Sequence, residues 1–377
     1  MNKIVIGLGF GDEGKGSVVD YLCSKNPDSL VIRFCGGPQA GHTVYYEDKN
    51  HVFSNFGSGT FRNVPTYWNC SCLVDPIGLD NEYEILAFKS PPPIIYINED
   101  CPIITPLDMT ANQINESQLH HGSCGIGIGQ TRQRNEDGCY LKFKDLYNPK
   151  ILRLKYQAIK EYYRFDNRID IFKQYDKDFF KHVEYITKNK NIIKGYPELP
   201  YKYDTYIYEG SQGLLLSENI GFFPHSTKGH VDTTNITINE TYDDLYLVTR
   251  AYQTRHGNGP MTNEEIPHNI QDNPYESNKK NDWQGEFRCS LLDLDLLEYA
   301  INSDGQIKHC ENKTLVITCL DLIKNEYRFT YKDKIICCND ETDFIEKIAD
   351  ILKIKEVLTN NSPFSSTFVL SNKYYEI

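Results

Sequence analysis

The chain has 377 residues, of which 40% are hydrophobic, so it is long enough to bury a large core. Its net charge of −12 and its pI of about 5.4 exclude nucleic-acid binding driven by the overall electrostatic field. It has no run of eighteen apolar residues, no signal-peptide pattern and no C-x-x-C pair. These absences predict a cytoplasmic protein with neither a membrane span nor a cysteine zinc site.

Short apolar, β-branched runs that end in glycine or polar residues predict a series of buried strands. Five such runs follow one another along the chain: "KIVIGLGF", "SLVIRFCGG", "TYIYEGSQG", "DLYLVTRAYQTRHG" and "KTLVITCLDLI". Apolar residues at helical spacing in "GSVVDYLCSK", "SLLDLDLLEYAI" and "TDFIEKIADILKI" predict helices between and after the strands. The pattern indicates an α/β protein with a mostly parallel central sheet and helices on both faces.

We expect one domain over residues 1–377, with an insertion around residues 145–200. The inserted stretch is charged, aromatic and helix-prone, as in "LRLKYQAIKEYYRF", and we expect it to cover the functional site. In a parallel sheet the ligand binds at the carboxyl edge, where the loops after the strands gather.

The loop "GLGFGDEGKGS" at residues 7–17 joins the first strand to the first helix, the context that a phosphate-binding loop requires. Its glycines would let backbone N–H groups approach phosphate oxygens, and Lys15 would neutralise their charge. Two features break the standard pattern. Gly16 stands where Ser or Thr would bind Mg²⁺, and Asp12 and Glu13 place two carboxylates inside the loop. An acid beside phosphates indicates a bridging Mg²⁺ or a proton to be accepted; a plain strand–helix turn is the alternative.

Other polar side chains follow the strands in glycine-marked loops. They are Gln39 and His42 in "GGPQAGHTV", Gln212 in "EGSQGLLLS", Thr227 and Lys228 in "FFPHSTKGH", Arg255 in "YQTRHGNGPMTNEE", and Arg288 in "WQGEFRCS". Taken one at a time, each is more often a structural or solvated residue than a ligand. Taken together at the ends of strands, they predict one binding site.

The motifs "GDEGKG", "GGPQAGHTV", "EGSQG", "TRHGNGP" and "TCLD" occur in this order, and on them the chain resembles the adenylosuccinate synthetase family. The family patterns are G-D-E-G-K-G-K, G-G-x-N-A-G-H-T, E-G-A-Q-G, T-R-V-G-A-G-P and T-K-x-D. The resemblance covers residue 3 to about residue 325. It implies a Mg²⁺-dependent ligase that uses a nucleoside triphosphate to phosphorylate O6 of a 6-oxopurine nucleotide and joins L-aspartate to C6.

The resemblance also implies a role for each matching residue. Asp12 matches the catalytic base, which takes the N1 proton, and His42 matches the general acid. Asp12 and the Gly41 carbonyl match Mg²⁺ ligands. The donor and its phosphates are assigned to Gly14, Lys15, Gly16, Thr43 and Asp321, the purine nucleotide to Gln39, Ser123, Arg134, Gln212 and Thr227, and aspartate to Arg255 and Arg288. The family also implies a homodimer in which Arg134 or Arg132 is given across the interface, with no nucleic-acid or membrane partner.

The chain departs from the family at the aspartate loop, where only Arg288 remains of a run of arginines, and at Cys319, which replaces the lysine of T-K-x-D. The second change leaves ATP or GTP open as the donor. Gln39, "HVFSNFGSGTF" and "WQGEFR" resemble the phage branch, which forms 2-aminoadenylosuccinate from guanine nucleotides. We therefore expect dGMP or GMP as substrate, with IMP as the family default. A virus-encoded enzyme acting in the host cytoplasm fits this branch.

Two other classes of function compete with a ligase. A binding protein could keep the nucleotide site without catalysis, but the presence of Asp12, Lys15 and His42 favours an enzyme. A phosphate-loop GTPase or ATPase switch would need Ser or Thr in place of Gly16.

Overall fold

The structure is a computed structural model, and it describes residues 1–119, 123–164, 169–196, 203–236, 243–277 and 285–371. The side chains of residues 118–119, 169–174 and 371 are outside this description. No helix within these ranges is long and apolar enough to cross a membrane.

The described residues form sixteen strands and nine α-helices. The strands are β1 (Asn2–Gly7), β2 (Ser29–Arg33), β3 (His42–Tyr46), β4 (Lys49–Phe53), β5 (Thr66–Trp68), β6 (Ile95–Ile97), β7 (Ile192–Lys194), β8 (Thr205–Gly213), β9 (Asp244–Arg250), β10 (Tyr252–His256), β11 (Phe287–Asp293), β12 (Lys313–Thr318), β13 (Arg328–Tyr331), β14 (Lys334–Cys337), β15 (Glu356–Thr359) and β16 (Val369–Ser371). The helices are α1 (Lys15–Lys25), α2 (Pro76–Lys89), α3 (Pro106–Leu119), α4 (Ile128–Glu136), α5 (Pro149–Tyr163), α6 (Ile169–Lys188), α7 (Leu294–Ser303), α8 (Gly305–His309) and α9 (Glu341–Leu352).

Ten of the described strands form one sheet in the order β16-β15-β12-β9-β1-β8-β2-β5-β6-β7. Every neighbouring pair is parallel except β15 and β16. The five strands predicted from the sequence are β12, β9, β1, β8 and β2, which lie side by side at its centre. The mostly parallel central sheet is therefore confirmed.

Side chains of β1 alternate between two hydrophobic cores, one on each face of the sheet. Ile4 and Ile6 pack in a core that includes Phe344 of α9 and residues of α7 and α8. Val5 points the other way and packs with Val18 of α1. Because successive residues of a strand face opposite sides, this alternation requires a helical layer on each face, as predicted.

Two elements have other boundaries in the structure than the sequence predicts. The run 244–257 is not one strand, because the chain leaves the central sheet at Ala251 and β10 pairs antiparallel with β11 in a second sheet, β10-β11-β13-β14. The helix expected from Ser290 begins only at Leu294, because Ser290 and Leu291 pair with β10. A two-stranded sheet, β3-β4, completes the described sheets.

Candidate functional site

The loops after the central strands enclose a cavity of about 560 Å³. Because β1, β8, β9 and β12 run parallel, their carboxyl ends open onto the same edge of the sheet. Most of the predicted site residues line this cavity: Asp12, Gly14, Lys15, Gly16, Gln39, Gly41, His42, Thr43, Ser123, Gln212, Thr227, Arg255 and Asp321. Arg134 and Arg288 do not.

The loop after β1 is held in shape by its own buried carboxylate, Glu13. Its Oε1 accepts hydrogen bonds from the amides of Gly9 and Gly11, at 3.1 and 2.9 Å, and its Oε2 accepts one from Lys15 Nζ at 2.5 Å. Burial acts to raise the pKa of Glu13, but Lys15 and the backbone donors outweigh it and lower that pKa. Glu13 thus holds two amides of the loop and one of the three N–H donors of Lys15, a residue that also lines the cavity.

Asp12 stands beside Glu13 with a left-handed backbone, at a φ of 62°. Its carbonyl oxygen accepts a 2.5 Å hydrogen bond from Nε of Arg250, the last residue of β9. Burial raises the pKa of the Asp12 carboxyl, while Arg250 lowers it and the nearby Glu276 and Glu13 raise it. A carboxylate with a raised pKa is a stronger base, which suits the acceptance of a proton from a bound ligand.

His42 begins β3 and is held between two acceptors. Nδ1 lies 2.6 Å from Oε1 of the fully buried Glu209, and Nε2 lies 3.2 Å from the carbonyl oxygen of Ser211. Burial lowers the pKa of His42, against the effect of Glu209. Both neighbours accept hydrogen bonds, so only a doubly protonated ring could donate to both at once, whereas burial favours the neutral ring. A proton placed on this ring would therefore be released readily, as the general-acid role expected for His42 requires.

Glu209 is kept ionised although it is buried. Burial acts to raise the pKa of Glu209, but His42, Arg33 and Ser58 together lower it to about 2. Ser58 contributes its backbone amide at 3.2 Å and also its hydroxyl. The carboxylate therefore fixes the orientation of the His42 ring.

Gly16, the position that breaks the phosphate-loop pattern, has a packing reason. A Cβ at Gly16 would lie 2.9 Å from Cβ of His42 and 3.1 Å from Oγ of Ser58. Helix α1 and strand β3 approach each other so closely there that only glycine fits without displacement. The sequence pattern alone could not indicate this, because His42 lies in a separate loop.

Among the residues expected to hold the purine nucleotide, Thr227 Oγ1 donates a 2.6 Å hydrogen bond to Oε1 of Gln212. The amide oxygen and nitrogen of Gln39 are buried and have no hydrogen-bond partner within the described residues. Oγ of Ser123 accepts a 2.9 Å hydrogen bond from Nδ2 of Asn112. The Gln39 amide is therefore the group most ready to contact a ligand.

Asp321, which is expected to bind the donor, follows β12 and lines the cavity together with Cys319. Burial raises the pKa of the Asp321 carboxyl. Thr43 Oγ1 lies 2.7 Å from Ser277 Oγ, which connects β3 to the segment that carries Glu276. Within the described residues no cluster of three or more His, Cys, Asp or Glu side chains forms a metal site. The Asp12 carboxylate and the Gly41 carbonyl still fit Mg²⁺, which commonly takes one or two protein oxygens and completes its shell with phosphates and water.

The three arginines that the sequence assigned to ligands, Arg255, Arg288 and Arg134, make contacts within the protein instead. Arg255 lines the cavity, but its guanidinium donates to the carbonyls of Asn258, Pro260 and His225 at 3.1, 2.8 and 2.8 Å. Burial and the neighbouring Arg288 lower the pKa of Arg255 to about 10. Its contacts place it as a support for the loop 257–260.

Arg288, expected to bind aspartate, lies outside the cavity wall. It pairs with Glu264 at 2.7 Å and donates to the carbonyls of Gly257 and Gly259 at 2.9 and 2.7 Å. These internal acceptors take up the guanidinium that the sequence reading assigned to a carboxylate ligand.

Arg134 is likewise not a surface arginine available to a nucleotide or a second subunit. It is fully buried, forms a two-pronged ion pair with Asp108 at 2.9 and 3.1 Å, and donates to the carbonyls of Cys139 and Ile103. The alternative, Arg132, is partly exposed; it donates to the Ser71 carbonyl at 3.2 Å and keeps a buried Nε without a partner among the described residues. The structure thus leaves Arg132 as the candidate of the two.

The stretch 145–200, expected to cover the site, contains α5, α6 and β7. None of its described residues lines the cavity, and β7 instead extends the central sheet beside β6. Sequence reasoning also missed Arg250, Glu276 and His256, which line the cavity. The signal in the sequence that could have indicated these residues is their position at the end of a strand or in the segment after it.

A sequence model of the adenylosuccinate synthetase family matches residues 4–373. The chain is 26% identical to the adenylosuccinate synthetase of Francisella philomiragia, over 99% of this chain and 90% of that protein. It is 27% identical to the enzyme of Francisella tularensis, over 97% of this chain and 88% of that protein.

Two solved structures share the fold. A fully ligated adenylosuccinate synthetase from Plasmodium falciparum superimposes with a TM-score of 0.72 at 17% identity, covering 98% of this chain and 99% of that one. The succinoaminodeoxyadenylate synthetase of cyanophage S-2L, bound to dGMP and to dATP as an energy donor, has a TM-score of 0.65 at 16% identity, covering 98% and 94%.

Replacing Gly16 with alanine should lower kcat/KM by about 10²-fold, because a Cβ there displaces His42, and misplacement by about 1 Å is enough for such a loss. Gly305→Ala is the matched control, since a Cβ at Gly305 meets nothing within 4 Å. Steady-state kinetics on both variants measures kcat/KM and tests this expectation. Full activity in Gly16→Ala would contradict the close approach of α1 and β3.

Replacing Arg134 with methionine should destabilise the fold by about 3–5 kcal/mol, because Asp108 would be left as an unpaired buried charge. Urea unfolding measures this, with the exposed Arg153→Met as control. Unchanged stability combined with a large rise in KM for the nucleotide would instead restore Arg134 to the substrate site.

Proposed function

The chain belongs to the adenylosuccinate synthetase family and is a ligase, and we propose that it phosphorylates O6 of a 6-oxopurine nucleotide and then joins L-aspartate to C6. One observation carries the proposal: a single cavity brings together the loop with Asp12 and Lys15, the His42 ring, and the hydrogen-bonded pair of Gln212 and Thr227. The proposed base, the proposed acid and the residues proposed to hold the purine nucleotide thus line the same cavity.

The purine C6 carbonyl is a poor electrophile, and hydroxide is a poor leaving group. In the proposed reaction Asp12 takes the N1 proton, so that O6 becomes nucleophilic and attacks the terminal phosphorus of the donor, releasing the nucleoside diphosphate. His42 donates a hydrogen bond to the charge that develops between O6 and the phosphoryl group. The aspartate amine then attacks C6, and phosphate leaves with the former O6. General acid–base steps of this kind typically contribute ~10²–10⁴-fold each.

Asp12 and the Gly41 carbonyl are proposed to hold Mg²⁺, which supplies neutralising charge to the donor phosphates. Gly14, Lys15, Gly16 and Thr43 are proposed to surround those phosphates, and Asp321 the donor base. Cys319 cannot supply the positive charge that the family's lysine offers to a guanine carbonyl, so we propose that ATP serves as donor at least as well as GTP. The phage structure, described with dATP as energy donor, supports this choice.

We retain the homodimer as part of the proposal, with Arg132 as the arginine given to the other subunit. Its partial exposure and its Nε, which has no partner within the described residues, support this, and the internal pairing of Arg134 disfavours the alternative. We also propose that the enzyme acts on these small-molecule substrates in the cytoplasm, either as a cellular enzyme or as a virus-encoded enzyme in its host.

For the purine substrate we propose dGMP or GMP. The first support is Gln39, which replaces the family's asparagine and whose buried amide offers both an acceptor and a donor. The second is the dGMP described in the phage structure. The competing substrate is IMP, and the relatives from Francisella, which carry the name adenylosuccinate synthetase, favour it. The two differ by the 2-amino group, whose N–H donors need acceptors when buried.

Phosphate release from the donor should depend on both the purine nucleotide and L-aspartate, and Asp12→Asn should lower the rate by ~10² or more, because the base is lost. A phosphate assay with each substrate omitted in turn measures this, with the exposed Asp48→Asn as control. Release without aspartate would indicate an NTPase switch, and no release at all would indicate a binding protein.

For purine selectivity, kcat/KM with L-aspartate should be ~10- to 10²-fold higher for dGMP or GMP than for IMP, since an acceptor built for the 2-amino group stays unpaired against IMP. The measurement compares the three nucleotides, with ATP and then with GTP as donor. A clear preference for IMP would assign the protein to ordinary adenylosuccinate synthesis.

A further inference from the structure

His256 lines the cavity and has one ring nitrogen without a hydrogen-bond partner among the described residues. It is the last residue of β10, opposite Phe287 of β11. Nε2 lies 3.3 Å from the carbonyl oxygen of Gly285, whereas Nδ1 is buried and has no hydrogen-bond partner in the part of the chain that the structure describes. The ring is therefore held at one nitrogen and unpaired at the other.

The contact to Gly285 decides the tautomer. A carbonyl oxygen can only accept, so Nε2 carries the hydrogen and donates it, and in the tautomer with this single hydrogen Nδ1 carries the lone pair. A buried acceptor without a partner is unfavourable, and buried polar atoms in native proteins are generally hydrogen-bonded. At the wall of a binding cavity the missing partner is a ligand group that donates an N–H or O–H.

The position is also a departure within a recognised motif. The family pattern T-R-V-G-A-G-P reads "TRHGNGP" in this chain, so His256 stands where the pattern has valine. Valine has no side-chain acceptor, so the imidazole adds a hydrogen bond that the pattern does not provide.

His256 lies between two sets of residues already described. On one side, His225 and Thr227 line the same cavity as His256, in the part that the proposed function assigns to the purine nucleotide. On the other side, Gly285 belongs to the stretch that matches the aspartate loop. A donor at this junction can come from a sugar hydroxyl of the nucleotide or from the α-ammonium of L-aspartate.

We propose that His256 is a substrate-binding residue whose Nδ1 accepts a hydrogen bond from an N–H or O–H donor of a bound substrate. This inference rests on the proposed function, because both donors belong to its substrates. One hydrogen bond of ordinary strength corresponds to about a 3- to 10-fold change in affinity.

The test compares two substitutions at this position. His256→Leu removes the acceptor and should raise one KM by about 3- to 10-fold, whereas His256→Asn keeps a side-chain oxygen near the former Nδ1 and should restore that KM to within about 2-fold. If His256→Leu does not fold, as judged by thermal melting, His256→Phe keeps a ring without a lone pair. The exposed His268→Leu is the control.

The substrate whose KM changes identifies the donor. A selective rise for L-aspartate assigns the ammonium, a rise for both GMP and dGMP assigns the 3′-hydroxyl, and a rise for GMP but not dGMP assigns the 2′-hydroxyl. Unchanged KM values in His256→Leu, or an Asn variant as impaired as the Leu variant, would overturn the proposal. Inactivity of the unsubstituted enzyme with every purine would instead reject the proposed function.

Discussion

The site is organised by one constraint: each carboxylate buried at the carboxyl edge of the sheet must find its partners inside the protein. Glu13 satisfies it with two amides of its own loop and with Lys15. Glu209 satisfies it with His42 and with the amide and hydroxyl of Ser58. The first set of contacts shapes the loop that carries Asp12, and the second orients the ring of His42, the proposed general acid. The geometry of the proposed catalysis follows from pairing these two charges.

The same constraint separates supporting residues from those available to ligands. Arg134, Arg255 and Arg288 are positive and close to the site, yet protein acceptors take up their guanidinium groups. Gln39 and His256 are less conspicuous in the sequence, yet they keep buried polar atoms without partners in the described ranges. Availability therefore depends on what surrounds a side chain, and charge alone is a poor guide to it.

Local pattern was enough to predict the central strands and the placement of Asp12, Lys15, His42, Gln212 and Thr227, because each strand and the loop after it are adjacent in sequence. It failed where distant pairings decide the structure. The apolar run from Ser290 has helical spacing, but pairing with β10 makes its first residues a strand. Arg134 lies 26 residues from Asp108, and no local signal joins them. Gly16 likewise depends on His42, a residue of another element.

The central claim is that O6 of the purine becomes part of the released phosphate, and the most direct measurement follows that atom. The enzyme is supplied with donor, L-aspartate and a 6-oxopurine nucleotide labelled with ¹⁸O at O6, and the phosphate is analysed by mass spectrometry. The account predicts one ¹⁸O in each phosphate released with product. Unlabelled phosphate, with the label kept in the nucleotide, would show that the donor is hydrolysed by water and would contradict the account.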